Sequence, residues 1–148
     1  VFTSPRSFKF REMEYALPAD RVVPALDEVR ALIKRRGWRI EFPLEVRFAA
    51  ADDVWLSTAY QRATGYIAVH RHWRADPTAY FADVERIMLD HGGRPHWGKM
   101  HTQDAQALRE SYPRFDDFTA IQARLDPEGR FRNEYLDRVL GQVPPARM

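Results

Sequence analysis

The chain has 148 residues, of which 45% are hydrophobic and 30% are charged, a composition typical of a globular domain. Its formal net charge is only +2 and its basic residues are interspersed with acidic ones, so we predict no nucleic-acid partner. The absence of cysteine excludes disulfides, thiolate metal sites and a cysteine nucleophile, and it is compatible with a cytoplasmic location. No stretch approaches the roughly 20 apolar residues of a membrane span.

The first part of the chain predicts the order strand, helix, strand, strand, helix, strand. The predicted strands cover residues 6–17, 38–50, 65–73 and 94–99, and the two helices begin at Asp20 and at Asp76-Pro77. This order is that of a ferredoxin-like α+β fold, in which a four-stranded antiparallel sheet carries both helices on one face.

Local signals refine these elements. The apolar alternation of the first strand changes phase near Glu12-Met13, which predicts a register slip there. Asp20 is the expected N-cap of the first helix, and Gly37 is expected to end it. Pro43 predicts that the second strand lies at an edge or contains a bulge.

The remainder of the chain predicts helices rather than strands. These helices cover residues 102–111 and 116–125 and a last segment capped by Asn133, and a proline-rich tail follows at 144–148. One face of the middle helix is apolar, with Phe115, Phe118, Ile121 and Leu125. We therefore divide the chain into a ferredoxin-like unit, 1–101, and a C-terminal helical arm, 102–148.

Glu45 and Arg47 are two residues apart on a predicted strand, so they point to the same face of the sheet. A carboxylate beside a guanidinium can orient a polyol and stabilise developing negative charge. The pattern alone also fits an exposed ion pair worth about 0.5 kcal/mol.

His70 and His72 share one face in the same way, and paired histidines can bind a metal. The spacing fixes no third ligand, although His96 and His101 follow, and half-exposed strand histidines fit equally. Lys99 stands in a segment with three glycines and a proline, which favours either a positioned cation or a linker.

The end of the chain carries a distinctive combination of motifs. R-P-H-W-G-K at 94–99 is followed by Y-P-R-F-x-x-F at 112–118, L-D-P-x-G-x-F-x-N-x-Y-L at 125–136 and L-G at 140–141. Together they resemble the C-terminal region of the aldonolactone oxidoreductases, which include gulonolactone and arabinonolactone oxidases and dehydrogenases and alditol oxidases. The resemblance covers nearly the whole chain.

That resemblance implies an FAD flavoprotein of the vanillyl-alcohol-oxidase type that oxidises a sugar lactone or polyol by hydride transfer to flavin. It implies that this chain is the substrate-binding cap with an arm that packs on the cap and on an N-terminal FAD-binding domain of the same polypeptide. The chain has no glycine-rich phosphate loop, so we expect it to be inactive without that domain. A membrane contact of the complete enzyme stays open.

The resemblance also implies roles for individual residues. Glu45 and Arg47 match the acid–arginine pair at the flavin, Lys99 matches the motif lysine, and His70 matches a histidine on the substrate side. Arg47 and Lys99 would contact the cofactor and stabilise negative charge, and Glu45 or His70 would accept the hydroxyl proton. We further predict that His72 and His96 bind substrate and that no metal is bound.

Two alternatives remain from the sequence. One is a stand-alone ferredoxin-like module that binds a small ligand or a metal through His70, His72 and His96. The other is a structural fragment whose exposed apolar face forms a dimer. The choices between lactone and alditol, and between oxidase and dehydrogenase, stay open.

Overall fold

A computed structural model describes residues 8–141, so the predicted tail at 144–148 and the start of the first predicted strand lie outside the described residues. Within these residues there are four strands: β1 (Phe10–Pro18), β2 (Glu45–Ala49), β3 (Thr64–His72) and β4 (Arg94–Pro95). The helices are α1 (Val22–Arg36), α2 (Thr78–Asp90), α3 (Ala105–Ser111), α4 (Phe115–Leu125) and α5 (Glu134–Leu140), and a short 3-10 turn, Ala19–Arg21, precedes α1.

The strands form one antiparallel sheet in the order β2-β3-β1-β4. Two consecutive β-α-β units joined through β2 and β3 give this order, so the predicted α+β class is confirmed. The edge position that Pro43 predicted for the second strand is also confirmed, although β2 is much shorter than 38–50.

The main core lies between the sheet and helices α1 and α2. β1 contributes its odd-numbered apolar residues to this face, and β3 contributes Ile67 and Val69. The helices meet them with Val22, Ala25, Val29 and Leu32 from α1, and with Tyr80, Phe81, Val84, Ile87 and Met88 from α2. Both helices therefore cover the same face, and the other face of the sheet is left for polar residues.

The predicted register slip in the first strand is wrong. β1 and β3 pair without interruption from Phe10 opposite His72 to Pro18 opposite Thr64. The apolar alternation changes phase because the two faces of β1 have different neighbours along its length. Phe10 lies on the face away from the helices, where its ring centroid is 5.6 Å from that of Phe42.

The ends of α1 and α2 show which of the residues predicted to begin or end these helices do so. Asp20 lies in the 3-10 turn and does not cap α1, so that prediction is wrong. The sequence also predicts Asp76 as the N-cap of α2, but Pro77 occupies that position, and Asp76 instead accepts hydrogen bonds from the Thr78 N–H (2.9 Å) and hydroxyl (2.6 Å) just before the helix. Gly37 ends α1 with a φ of 64°, a left-handed conformation that glycine adopts without strain.

A second, smaller core joins the C-terminal helices to the rest of the chain. Its buried members are Leu108, Tyr112, Phe115, Val139 and Leu140, and Trp97 packs against them. Asn133 caps α5 as predicted, accepting a 2.9 Å hydrogen bond from the Leu136 N–H. Only the start of the predicted apolar face of α4 is buried, since Leu125 at its end is 74% exposed. Within residues 8–141, no helix combines the length and hydrophobicity needed to cross a bilayer.

Candidate functional site

The face of the sheet away from α1 and α2 carries a group of charged side chains drawn from three strands and one loop. We call it the polar cluster, and its members are Glu12, Glu14, Glu45, Arg47, His70 and Lys99. The strand register brings them together, because Glu12 lies opposite His70, and Glu14 and Glu45 both lie opposite Ala68. The cluster is thus fixed by backbone pairing at the centre of the sheet.

Glu14 is the buried centre of this cluster, with 3% of its surface exposed. Arg47 donates a hydrogen bond to one carboxylate oxygen and Lys99 donates to the other. Burial raises the pKa of the Glu14 carboxyl, but hydrogen bonds and charges from Lys99 and Arg47 outweigh it, so the pKa lies below its ordinary value. Glu14 therefore stays ionised and holds two cations at a fixed separation.

Lys99 reaches the cluster because its segment runs beside β1 after β4 has ended. The His96 and Met100 N–H groups donate 2.9 Å hydrogen bonds to the backbone carbonyls of Glu14 and Glu12. The Lys99 ammonium then bonds to both carboxylates. Burial lowers the pKa of Lys99, but the two carboxylates raise it by more, so the ammonium is retained well above neutral pH.

The Arg47 guanidinium is exposed to solvent, and Glu14 and Tyr66 hold it in position. Its guanidinium lies 4.2 Å from the centroid of the Tyr66 ring, and the Tyr66 hydroxyl is 2.8 Å from the Thr58 hydroxyl. The Arg47 side chain is still 59% exposed. It borders a shallow cavity of about 250 Å³ whose lining includes Glu14, Glu45, Arg47, Tyr66 and Ala68.

His70 lies behind this cavity and is only 4% exposed. Its ring packs edge-on against Phe10, with centroids 5.0 Å apart, and is tilted against Phe42. The Nε2 atom is 3.4 Å from Glu12 Oε1 and 3.9 Å from Glu45 Oε1. The Glu45 side chain is 71% exposed, so Glu45 is the carboxylate of this pair that an incoming ligand meets.

The other predicted histidines do not join the cluster. The Nδ1 atom of His72 accepts from the Arg74 N–H at 3.4 Å, and that of His96 accepts from the Gly98 N–H at 3.1 Å. The alternative metal site of His70, His72 and His96 is wrong, because within residues 8–141 the ligand atoms of these three rings do not converge. Within residues 8–141, the one convergent group of three metal-ligating side chains is Glu12, Glu45 and His70.

A larger cavity, of about 450 Å³, lies between α2, α5 and the segment around Met100. Its main polar groups are already bonded to each other, because Glu85 accepts from Tyr15 and Thr102, and His101 lies 3.0 Å from the Tyr135 hydroxyl. Burial, aided by the charge of Arg138, lowers the pKa of His101 to about 4. Lys99 and Arg138 also line this larger cavity, whereas Glu14, Glu45 and Arg47 line the smaller one. The smaller cavity therefore borders both the exposed carboxylate and the exposed guanidinium of the polar cluster.

Comparison with known proteins identifies the family of this chain. The sequence profile of the family described as D-arabinono-1,4-lactone oxidase matches residues 1–139. The chain belongs to this family. It is 52% identical over 141 residues to an L-gulono-1,4-lactone dehydrogenase of Mycobacterium tuberculosis, covering 95% of this chain and 33% of that protein. The resemblance to the aldonolactone oxidoreductases is thereby confirmed.

Two further members of the family show its breadth. An alditol oxidase of a Streptomyces species is 39% identical over 140 residues, covering 93% of this chain and 33% of that protein. An L-gulonolactone oxidase of Bos taurus is 36% identical over 144 residues, covering 94% and 33% respectively. The chain thus spans about a third of the length of the relatives it matches.

Glu12 and Glu14 are members of the polar cluster that were not predicted from the sequence. Two carboxylates at alternate positions interrupt a strand that otherwise carries Met13, Tyr15 and Leu17, and that was the available signal. Interpreting the phase change as a register slip hid it, because a slip between Glu12 and Met13 would place Glu12 and Glu14 on opposite faces of the sheet. The continuous register instead directs both carboxylates towards the cations.

Proposed function

We propose that this domain is the substrate-binding cap of an FAD-dependent oxidoreductase that acts on a sugar lactone or an alditol. The observation that carries the proposal is the pair of cations, Arg47 and Lys99, fixed by the buried carboxylate of Glu14, with Arg47 lining the smaller cavity and Lys99 lining the larger one. The family relationship supports the reaction class, since the relatives are described as lactone dehydrogenases and lactone or alditol oxidases.

The residues of the polar cluster fit a flavin. When bound, FAD accepts the hydride removed from the substrate carbon, and the reduced flavin carries negative charge. Arg47 and Lys99 would hold that charge, and neither has to reorganise, because Glu14 already fixes both. The chain has no glycine-rich phosphate loop, so the rest of FAD would be bound by an N-terminal domain of the same polypeptide, without which this domain is inactive.

Glu45 is the group best placed to orient the substrate hydroxyl and to accept its proton. It is the exposed carboxylate of the cluster, whereas the His70 ring is buried 3.9 Å behind its Oε1 atom. A proton taken up by Glu45 would be stabilised by the imidazole next to it. His70 then acts through Glu45, and the direct substrate contact that the resemblance implied for His70 becomes a supporting contact.

The deciding experiment uses the complete flavoenzyme and follows anaerobic reduction of the flavin by substrate in a stopped-flow spectrophotometer. The Arg47→Ala variant should reduce flavin at least about 100-fold more slowly, the size of effect seen when one charge-stabilising donor is removed. Its free energy of unfolding should fall by about 1–3 kcal/mol, because the buried Glu14 carboxylate loses Arg47 but keeps its second partner, Lys99.

Arg114→Ala is the matched control. Arg114 also stacks on an aromatic ring, 4.6 Å from the centroid of Trp55, and also bonds to a carboxylate, that of Asp117. It lies outside the polar cluster, so flavin reduction should be unchanged. Equal reduction rates in the wild type and Arg47→Ala would remove Arg47 from the reaction and defeat the proposal.

A further inference from the structure

We propose that Glu12, Glu45 and His70 form a binding site for a divalent transition-metal ion of the zinc type. This departs from the sequence prediction that the chain binds no metal. It does not depend on the proposed flavin reaction, because the ligand atoms all belong to residues of this chain.

The three donor atoms already stand at distances that suit a metal. All lie within 4.8 Å of one another, and His70 Nε2 is 3.4 Å from Glu12 Oε1 and 3.9 Å from Glu45 Oε1. A tetrahedral zinc ion with bonds of about 2.0–2.1 Å keeps adjacent ligand atoms about 3.4 Å apart. Closing this site therefore needs a movement of the exposed Glu45 side chain and displacement of the Lys99 ammonium from Glu12 Oε1.

His70 supplies the observation that separates this group from an ordinary acidic cluster. The ring is more than nine-tenths buried and is held by Phe10 and Phe42, with Nε2 directed at both carboxylates. Among the contacts of residues 8–141, neither ring nitrogen of His70 takes part in a hydrogen bond, and Nδ1 is fully buried. The Nε2 atom has only long contacts to the two carboxylates, and a metal ion bound between them would replace these contacts with direct bonds, whereas the buried Nδ1 atom would gain no partner from it.

The charge of the polar cluster also favours a cation. Its three carboxylates exceed its two cations by one, so the formal charge is −1 with a neutral imidazole. Glu14 is saturated by Arg47 and Lys99, which leaves Glu12 and Glu45 as the metal-facing carboxylates. Lys99 also bonds to Glu12 Oε1, so its ammonium group competes with a metal for that oxygen. If a metal displaces the ammonium from Glu12, the ammonium still has its ion pair with Glu14.

Zinc titration of the full 148-residue chain tests the site directly, by calorimetry and by competition with a chromophoric chelator at neutral pH. The wild type should bind one zinc per chain. His70→Gln and Glu45→Gln should each weaken binding at least tenfold. Glu45 is largely exposed, so its substitution reports on the ligand without disturbing the fold. Lys99→Met should strengthen binding, because it removes the competitor at Glu12.

His91→Gln is the matched control, because the His91 Nε2 atom lies 2.9 Å from a single carboxylate, that of Glu28, rather than between two. Its zinc affinity should equal that of the wild type. The site is refuted if the wild type takes up no stoichiometric zinc, if Glu45→Gln binds as well as the wild type, or if Lys99→Met binds more weakly. Loss of binding in His72→Gln would refute it in favour of a histidine pair on β3.

The titration contains neither flavin nor substrate, so its failure leaves the oxidoreductase proposal intact. Conversely, a wild-type rate of flavin reduction in Arg47→Ala would leave the metal site untouched. If both proposals hold, zinc and substrate compete for Glu45, and zinc inhibits the complete enzyme.

Discussion

Met13, Tyr15 and Leu17 extend from β1 towards helices α1 and α2, whereas Glu12 and Glu14 extend from the same strand into the polar cluster. Glu14 is buried almost as completely as its apolar neighbours. The apolar side chains contact others of their kind, and the two carboxylates contact a lysine, an arginine and a histidine. Burial alone therefore does not distinguish a residue of the main core from a residue of the polar cluster. The two are distinguished by whether apolar or charged side chains face them.

The largest expected effect is on the free energy of unfolding, from a substitution on the apolar face of β1. Leu17→Ala removes a fully buried side chain from the main core and should lower the free energy of unfolding by about 2–5 kcal/mol. Leu125→Ala is the same substitution at a site that is 74% exposed, and it should cost less than about 0.5 kcal/mol. Urea denaturation of both variants measures the difference, and equal costs would contradict the assignment of the core.

An intermediate effect is expected on the polar side. Glu14→Gln keeps the shape of the side chain but removes the charge between Arg47 and Lys99, and it should cost about 1–3 kcal/mol at neutral pH. Glu128→Gln, whose carboxylate bonds to Arg130 in solvent, should cost less than about 0.5 kcal/mol.

The pH dependence of stability gives a second test of Glu14. Its pKa is lower in the folded chain, so its stabilisation is present above the unfolded-state pKa and is lost as pH falls through the folded-state value. The stability curves of the wild type and Glu14→Gln should therefore converge in acid. Parallel curves would show that the Glu14 charge does not contribute.

The smallest expected effect on stability concerns two buried tyrosine hydroxyl groups in the main core. The Tyr15 hydroxyl donates to the buried Glu85 carboxylate, so Tyr15→Phe should cost about 1 kcal/mol. Tyr80 lies in the same core, but among the described residues its buried hydroxyl has no partner. Tyr80→Phe should be neutral or stabilising, and thermal denaturation of the pair is the measurement. A larger loss in Tyr80→Phe than in Tyr15→Phe would reverse the argument.

Much of the fold could be predicted from the sequence because its signals are local. The element order, the end of α1 at Gly37, the cap at Asn133 and the edge position implied by Pro43 all depend on residues next to one another in the chain. The lengths of β2 and β4 could not be predicted in this way. Trp38 alternates like a strand residue, but its ring packs edge-on against Tyr80 of α2 instead of extending β2.

The site was predicted only in part for the same reason. Glu45 and Arg47 share a strand, so their common face follows from period-two geometry. The meeting of Lys99 with Glu14 joins residues 85 positions apart, and it depends on which strand lies beside β1. Glu12 and Glu14 could be understood only after the register placed His70 and Arg47 around them. The sequence therefore predicted the members of the polar cluster on β2, on β3 and at Lys99, and not the two carboxylates of β1 that hold the cations.

Two of the 20 arginines, Arg62 and Arg94, make backbone contacts that the shape of the guanidinium group explains. Arg94 donates to the backbone carbonyls of Ser111, Thr58 and Tyr60, and Arg62 donates to those of Gly92 and Ala16. A forked guanidinium can satisfy several peptide oxygens at once, which a single ammonium cannot do with the same geometry. In a chain without cysteine, these arginines connect irregular backbone segments without covalent bonds. Replacing either arginine with lysine would keep the net charge of the chain but would lose some of these hydrogen bonds.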